Sequence, residues 1–185
     1  MSSKDSLFIF KRRDGAFILR GENADNWVLS ELDSTCRVVA PESIVQLNGL
    51  IYGLFESGIC EVSDTSVAVI SDPIKDKILT LYGTALDAVR EYAFGISYET
   101  DGKYILCLPS ASTDTFSTYQ LVYDINNETF YEWDLRVGAG IVSSEDTNLH
   151  LATGDTNIIK IERKTYDYTD FADYEQEIET STSSG

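Results

Sequence analysis

The sequence predicts an all-β protein, a propeller-like array of short antiparallel sheets with one short helical segment. Three observations predict it. Short runs rich in Val, Ile, Tyr and Phe recur along the chain, and turn residues divide them about every eight to twelve positions. Only one stretch carries helical spacing.

The elements follow in order. "SLFIFKRRDGAFILRG" gives two runs around Asp14-Gly15, a hairpin signature. "SIVQLNGLIYGLFESGICEVSD" gives three runs, divided at Asn48-Gly49 and Ser57-Gly58. "SDPIKDKILTLYGTALDAVREY" is the helical segment. Ser71 or Asp72 caps it ahead of Pro73, Ile74, Ile78, Leu79 and Tyr82 share a face, and Gly83 interrupts it. "AFGISYETDGKYILCLPS" is a pair around Asp101-Gly102. "YQLVYDINNETFYEWDL" is a hairpin across Asn126-Asn127, with Trp133 expected in the core and Glu132 and Asp134 facing water. "GIVSSEDTNLHLATGDTNIIKIERKTYDY" supplies three more runs, divided at 146–148 and 154–157. The turns at 14–15, 48–49, 101–102 and Asn148 are loosely spaced like those of four-stranded propeller blades.

Composition narrows the function. The 185 residues, 43% of them hydrophobic, are enough to fold as one domain with a real core or as two small ones. No apolar run approaches the roughly 20 residues of a membrane span, and "MSSKDSLFIFKRRDG" lacks a signal-peptide pattern. Thirty-one acids against fourteen bases give a net charge of −17, which repels phosphate and argues against ordinary nucleic-acid binding. After Lys164 there is no base, and six acids follow. The expected division is 1–164 as β blades and 165–185 as an acidic, aromatic exit strap or tail. The strap's Tyr166, Tyr168, Phe171 and Tyr174 are the candidate interaction residues, because a free acidic tail has no use for four aromatics.

No residue pattern announces catalysis, a metal or a cofactor. His150 lies on an alternating run with no serine elbow near it. Glu132 and Asp134 flank Trp133 as a glycosidase pair would, yet in a strand they are plain surface acids. The triplets Asp146-Thr147-Asn148 and Asp155-Thr156-Asn157 lack the rest of a calcium loop and read as turns. Cys36, Cys60 and Cys107 are too far apart for a zinc pair or a disulfide framework and read as buried free thiols. Lys11-Arg12-Arg13 is the one basic cluster, read as a solvated turn, and Asn127-Glu128-Thr129 is a chance sequon.

Four segments occur in a telling order: "VQLNGLIYGLFESGICEVSD", "ISDPIKDKIL", "YQLVYDINNETFYEWDL" and "TYDYTDFADYEQEIETSTSSG". That order resembles the propeller region of the tail hub or nozzle proteins of short-tailed bacteriophages, also called packaged-DNA stabilisation proteins. The resemblance rests on Ile70-Ser71, Pro73-Ile74, Asp76-Lys77-Ile78, Val122-Tyr123-Asp124, Trp133 and Tyr168-Thr169-Asp170-Phe171, and covers roughly residues 40–180. It implies a non-enzymatic virion protein of the tail, a homo-oligomeric ring of six copies beside portal or adaptor proteins. DNA would pass through its channel without specific binding. Members of that family are several hundred residues long, so the chain corresponds to the later blades and the exit. The alternative is a β-propeller or sandwich that binds a glycan or protein receptor through its eleven tyrosines. A hydrolase built on the acids ranks third.

Overall fold

The computed structural model describes residues 2–3, 6–145, 147–154, 158–161 and 174–177. Among these described residues, sixteen strands form four antiparallel four-stranded sheets, each a meander in chain order, and no sheet closes into a barrel. The first sheet holds β1 (Ser2–Ser3), β2 (Ser6–Lys11), β3 (Gly15–Arg20) and β4 (Val28–Asp33). The second holds β5 (Val38–Leu47), β6 (Leu50–Phe55), β7 (Gly58–Val62) and β8 (Val67–Val69). After α1 (Lys75–Tyr92) come β9 (Phe94–Tyr98), β10 (Lys103–Leu108), β11 (Tyr119–Asp124) and β12 (Thr129–Trp133). The last sheet holds β13 (Val137–Val142), β14 (Leu149–Thr153), β15 (Ile158–Ile161) and β16 (Tyr174–Glu177).

Local chemistry explains the hairpins. Asn48 and Gly49 both sit at positive φ (50° and 81°), the two-residue turn that matches strand twist. Asp124 closes the β11–β12 turn: its carboxylate accepts the amides of Asn126 (2.9 Å) and Asn127 (3.2 Å) and the Asn127 side chain (2.8 Å). Pro41, which cannot donate to a ladder, lies where the β5–β6 register shifts. The turn markers are unevenly spaced for two reasons. Asp14-Gly15 joins the second and third strands of its sheet whereas the others join the first and second, and α1 is inserted between the second and third sheets.

The core lies between consecutive sheets. One cluster joins the first and second sheets, with Phe8, Ala16 and Ile18 against Ile51, Phe55 and Cys60. A second joins sheets two and three beneath α1, with Tyr52 and Leu54 against Tyr104, Leu106 and Leu121. A third joins sheets three and four, with Ile105, Cys107 and Val122 against Val137, Leu149 and Leu151. Alternate residues of β6 and β10 therefore feed different clusters. That is why "LIYGLF" and "KYILCL" read as near-continuous apolar runs.

Glycine permits the sheets to approach closely. A Cβ on Gly95 would lie 2.4 Å from the Ser43 carbonyl oxygen, and one on Gly140 would lie 2.4 Å from Ile96 Cδ1.

Four expectations need correction. The helix runs through Gly83 and departs from helical geometry at Ala85 (φ −138°, ψ 19°). Burial of Ile78, Leu81, Ala85, Ala88 and Val89 outweighs the roughly 1 kcal/mol that a helical glycine costs. Leu79 is 54% exposed, because the buried stripe runs through Leu81 instead. Neither Ser71 nor Asp72 caps by its side chain: the Ser71 hydroxyl accepts the Ile59 amide at 3.0 Å. Finally, Trp133 is half-buried rather than core, because β12 is an edge strand, although Glu132 and Asp134 are exposed as expected.

Candidate interaction surfaces

The third sheet is covered on both faces, so Glu132 does not look onto an open face. It sits opposite Leu121 and pairs with Lys77 of α1. Trp133 sits opposite the fully buried Gln120, with its ring 6.2 Å from that of Tyr131. The two carboxylates at 132 and 134 therefore flank no cleft built around the indole. The Gln120 amide donates to Ser117 Oγ (3.0 Å) and to the Leu135 carbonyl (2.9 Å), a polar tie between sheets three and four. No pattern in the sequence marked it.

The three cysteines are free and buried. The fold brings Cys36 and Cys60, distant in sequence, into the same cluster. The hydrogen bond Cys36 shares with Cys60, and then burial, push its thiol far above the ordinary range. Burial pushes Cys107 up to about 12. His150 lies within β14, opposite Ile141 and Ile161. Among the described residues no group of three His, Cys, Asp or Glu is arranged to hold a metal ion. Asp146 and Asp155-Thr156-Asn157 lie outside the described residues.

One charged cleft stands out against the overall acidity. Arg12 and Arg13 of the β2–β3 turn meet Arg90 from the last turn of α1, beside Val38, Val39 and Glu56, around about 350 Å³. Arg37 pairs with Glu56 at 3.5 Å. Lys11 turns away, paired with Asp14 at 3.6 Å and lying 4.5 Å over the Phe17 ring. The basic turn is thus partly built into a junction between sheets and helix, and no motif marks Arg90 as its neighbour. A second cleft, about 390 Å³, is lined by Asp76, Lys77, Thr80, Leu81, Thr84, Ser110 and Tyr119. Burial, then the Glu132 charge, push Tyr119 up to about 12, so its phenol stays protonated there.

The ends of the array are the larger feature. Each cluster joins neighbouring sheets, and among the described residues no cluster of buried residues joins the fourth sheet to the first. On the first sheet, Phe8, Ala16 and Ile18 point inward, so the register puts Leu7, Ile9, Phe17, Leu19 and Leu29 on the outer face together with Glu31. On the fourth, Leu149 and Leu151 point inward, leaving Ile141, Ala152, Ile159 and Ile161 outward together with His150. Leu7, Leu29 and Ile141 are 41%, 56% and 66% exposed, and Trp27 beside β4 is 57% exposed.

Of the four strap residues, Tyr174 opens β16 and is paired in backbone register with Ile161. Tyr166, Tyr168 and Phe171 lie outside the described residues. What the fold and these surfaces define is a class, an open array of blade-like β-sheets with apolar end faces. No protein-family model matches the chain, and no curated protein matches it.

Proposed function

We propose that the chain is a structural virion protein of a phage tail hub or nozzle, which extends the portal channel and helps retain packaged DNA. The observation that carries this reading is the open array of four-stranded sheets, in which the resembling segments form a sheet exit and a hairpin. Ile70-Ser71 and Pro73-Ile74 make the exit from the second sheet into α1, and Val122-Tyr123-Asp124 with Trp133 makes the outer hairpin of the third. The role is mechanical. Copies assemble into a ring beside portal or adaptor proteins, six of them if the resemblance extends to symmetry. Strong negative charge lets DNA slide through the lumen without sticking. The test has two arms: antibody labelling of intact virions, and duplex-DNA binding at physiological salt. Label on the tail with no DNA complex is expected. A tight, salt-sensitive complex would overturn the sliding role, and absence from virions would overturn the assignment.

The exposed Trp27 beside Val28 and Leu29 favours a second reading, a module that binds a glycan or protein receptor. In that case Trp27→Ala would abolish ligand binding on a glycan array while leaving the oligomeric state unchanged.

A further inference from the structure

We propose that the outer face of the fourth sheet of one copy docks on the outer face of the first sheet of the next, a head-to-tail contact between two different surfaces. This names the interface for the self-assembly part of the reading above, but it stands on the sheets alone.

The argument starts with sequence. Internal strands such as β6 and β10 are apolar on both sides because both sides are covered. Strands β2 and β3, "SLFIFK" and "GAFILR", have the same two-sided apolar character, yet the fold covers only one of their sides. A one-sided sheet would alternate apolar with polar residues. The outer face of the first sheet therefore has the composition of an inter-sheet contact without the neighbouring sheet. The outer face of the fourth is built the same way through Ile141, Ile159 and Ile161.

The packing rule identifies the occupant. Three times along the chain, one face of a sheet meets the opposite face of the next. Placing the fourth sheet against the first sheet of another copy repeats that relation once more. Charge disfavours the alternative pairing of two fourth sheets. Residues 1–33, which span the first sheet, carry five bases and six acids, whereas 137–185 carry ten acids and three bases. Fourth-on-fourth contacts would set two strongly negative ends together, and the near-neutral first sheet avoids that repulsion. A contact between two different patches propagates and closes into a ring only if the rotation allows it.

The experiment uses the full chain and two variants at well-exposed positions, Leu29→Asp and Ile141→Asp, with melting curves to show that both fold. Sedimentation velocity across a concentration series reads association. Wild type is expected to associate as its concentration rises. Each variant alone should weaken association about a hundredfold, because it buries an unpaired carboxylate. An equimolar mixture of the two should regain dimers and nothing larger, since each variant keeps the face the other lost. A wild type that stays monomeric throughout overturns the proposal. So does either variant associating as well as wild type, or a mixture that regains nothing. If this pattern holds while virion labelling fails, the interface stands and the tail assignment falls.

Discussion

Ser43 is the buried polar residue on which the junction between the second and third sheets turns, and its removal gives a sharp test. Its hydroxyl donates to the Ala40 carbonyl (2.6 Å) and accepts the Leu54 amide (2.9 Å), which holds the irregular stretch of β5 against β6. Its own carbonyl accepts the Tyr104 hydroxyl (2.9 Å) from β10, and Gly95 of β9 passes close against it. Ser43→Ala takes away both hydroxyl contacts while every partner stays buried. A buried polar group left without a partner costs about 1–3 kcal/mol, so the pair should cost about 2–4 kcal/mol after partial relaxation. Urea denaturation followed by tryptophan fluorescence reads this as a lower midpoint with an unchanged slope. Gly95→Ala attacks the junction from the other side. Its methyl would press on the Ser43 carbonyl oxygen and the Tyr104 ring, at about 1–3 kcal/mol. A Ser43→Ala loss below about 0.5 kcal/mol would mean the hydroxyl is not what holds β5, and the account of this junction would be wrong.

Gly83→Ala should stabilise by about 1 kcal/mol, because a Cβ there meets nothing within 4 Å; thermal melting checks it. Trp133→Ala should cost about 2 kcal/mol by urea titration, less than a core tryptophan, because the ring is only half-buried. Burial raises the Asp114 carboxyl, but the Ala111 and Ser110 amides and the Thr118 and Ser110 hydroxyls outweigh it and hold it below the ordinary 3.8. The stability this loop contributes is therefore present above about pH 3.8 and lost as pH falls through the lower folded value. Asp114→Asn should flatten that acid limb in melts recorded against pH. The three thiols should react with a disulfide reagent only after denaturant is added, since burial shields them all.

Turn chemistry made the fold readable. Asn48-Gly49, Asp101-Gly102 and the Asp124-closed turn are local devices, and local devices announce themselves in sequence. Burial was harder to read, because it depends on how many faces of a sheet are covered. Alternation puts Glu132 in water, where it pairs with Lys77, but it also puts Trp133 in the core, and on the edge strand β12 the ring is only half-buried. Apolar spacing puts Leu79 on the packed face of the helix because Ile74, Ile78, Leu79 and Tyr82 dominate the start of the segment, whereas the buried stripe runs through Leu81, Ala85 and Val89. The Cys36–Cys60 pair and the meeting of Arg12, Arg13 and Arg90 join residues from separate elements, and no window of sequence spans them.

The fourth sheet draws its edge strand from the strap. Its last strand, β16, comes from within the acidic strap, with Tyr174 to Glu177 paired along Ile158 to Ile161. Deleting Thr165–Gly185 removes that strand and six carboxylates at once. Each cluster joins only neighbouring sheets, so stability should behave as a sum of local terms and the damage should stay local. Hydrogen exchange should then show lost protection at β15, which has become an edge, while β6 and β10 amides exchange as in the full chain. Self-association should fall as well, because the fourth sheet, whose outer face makes the contact, has lost its edge strand. A shorter deletion, 178–185, spares β16 and should leave β15 protected. If the longer deletion instead lowers protection evenly through β6 and β10, the sheets fold as one cooperative unit. The nearest-neighbour account of this array would then fail.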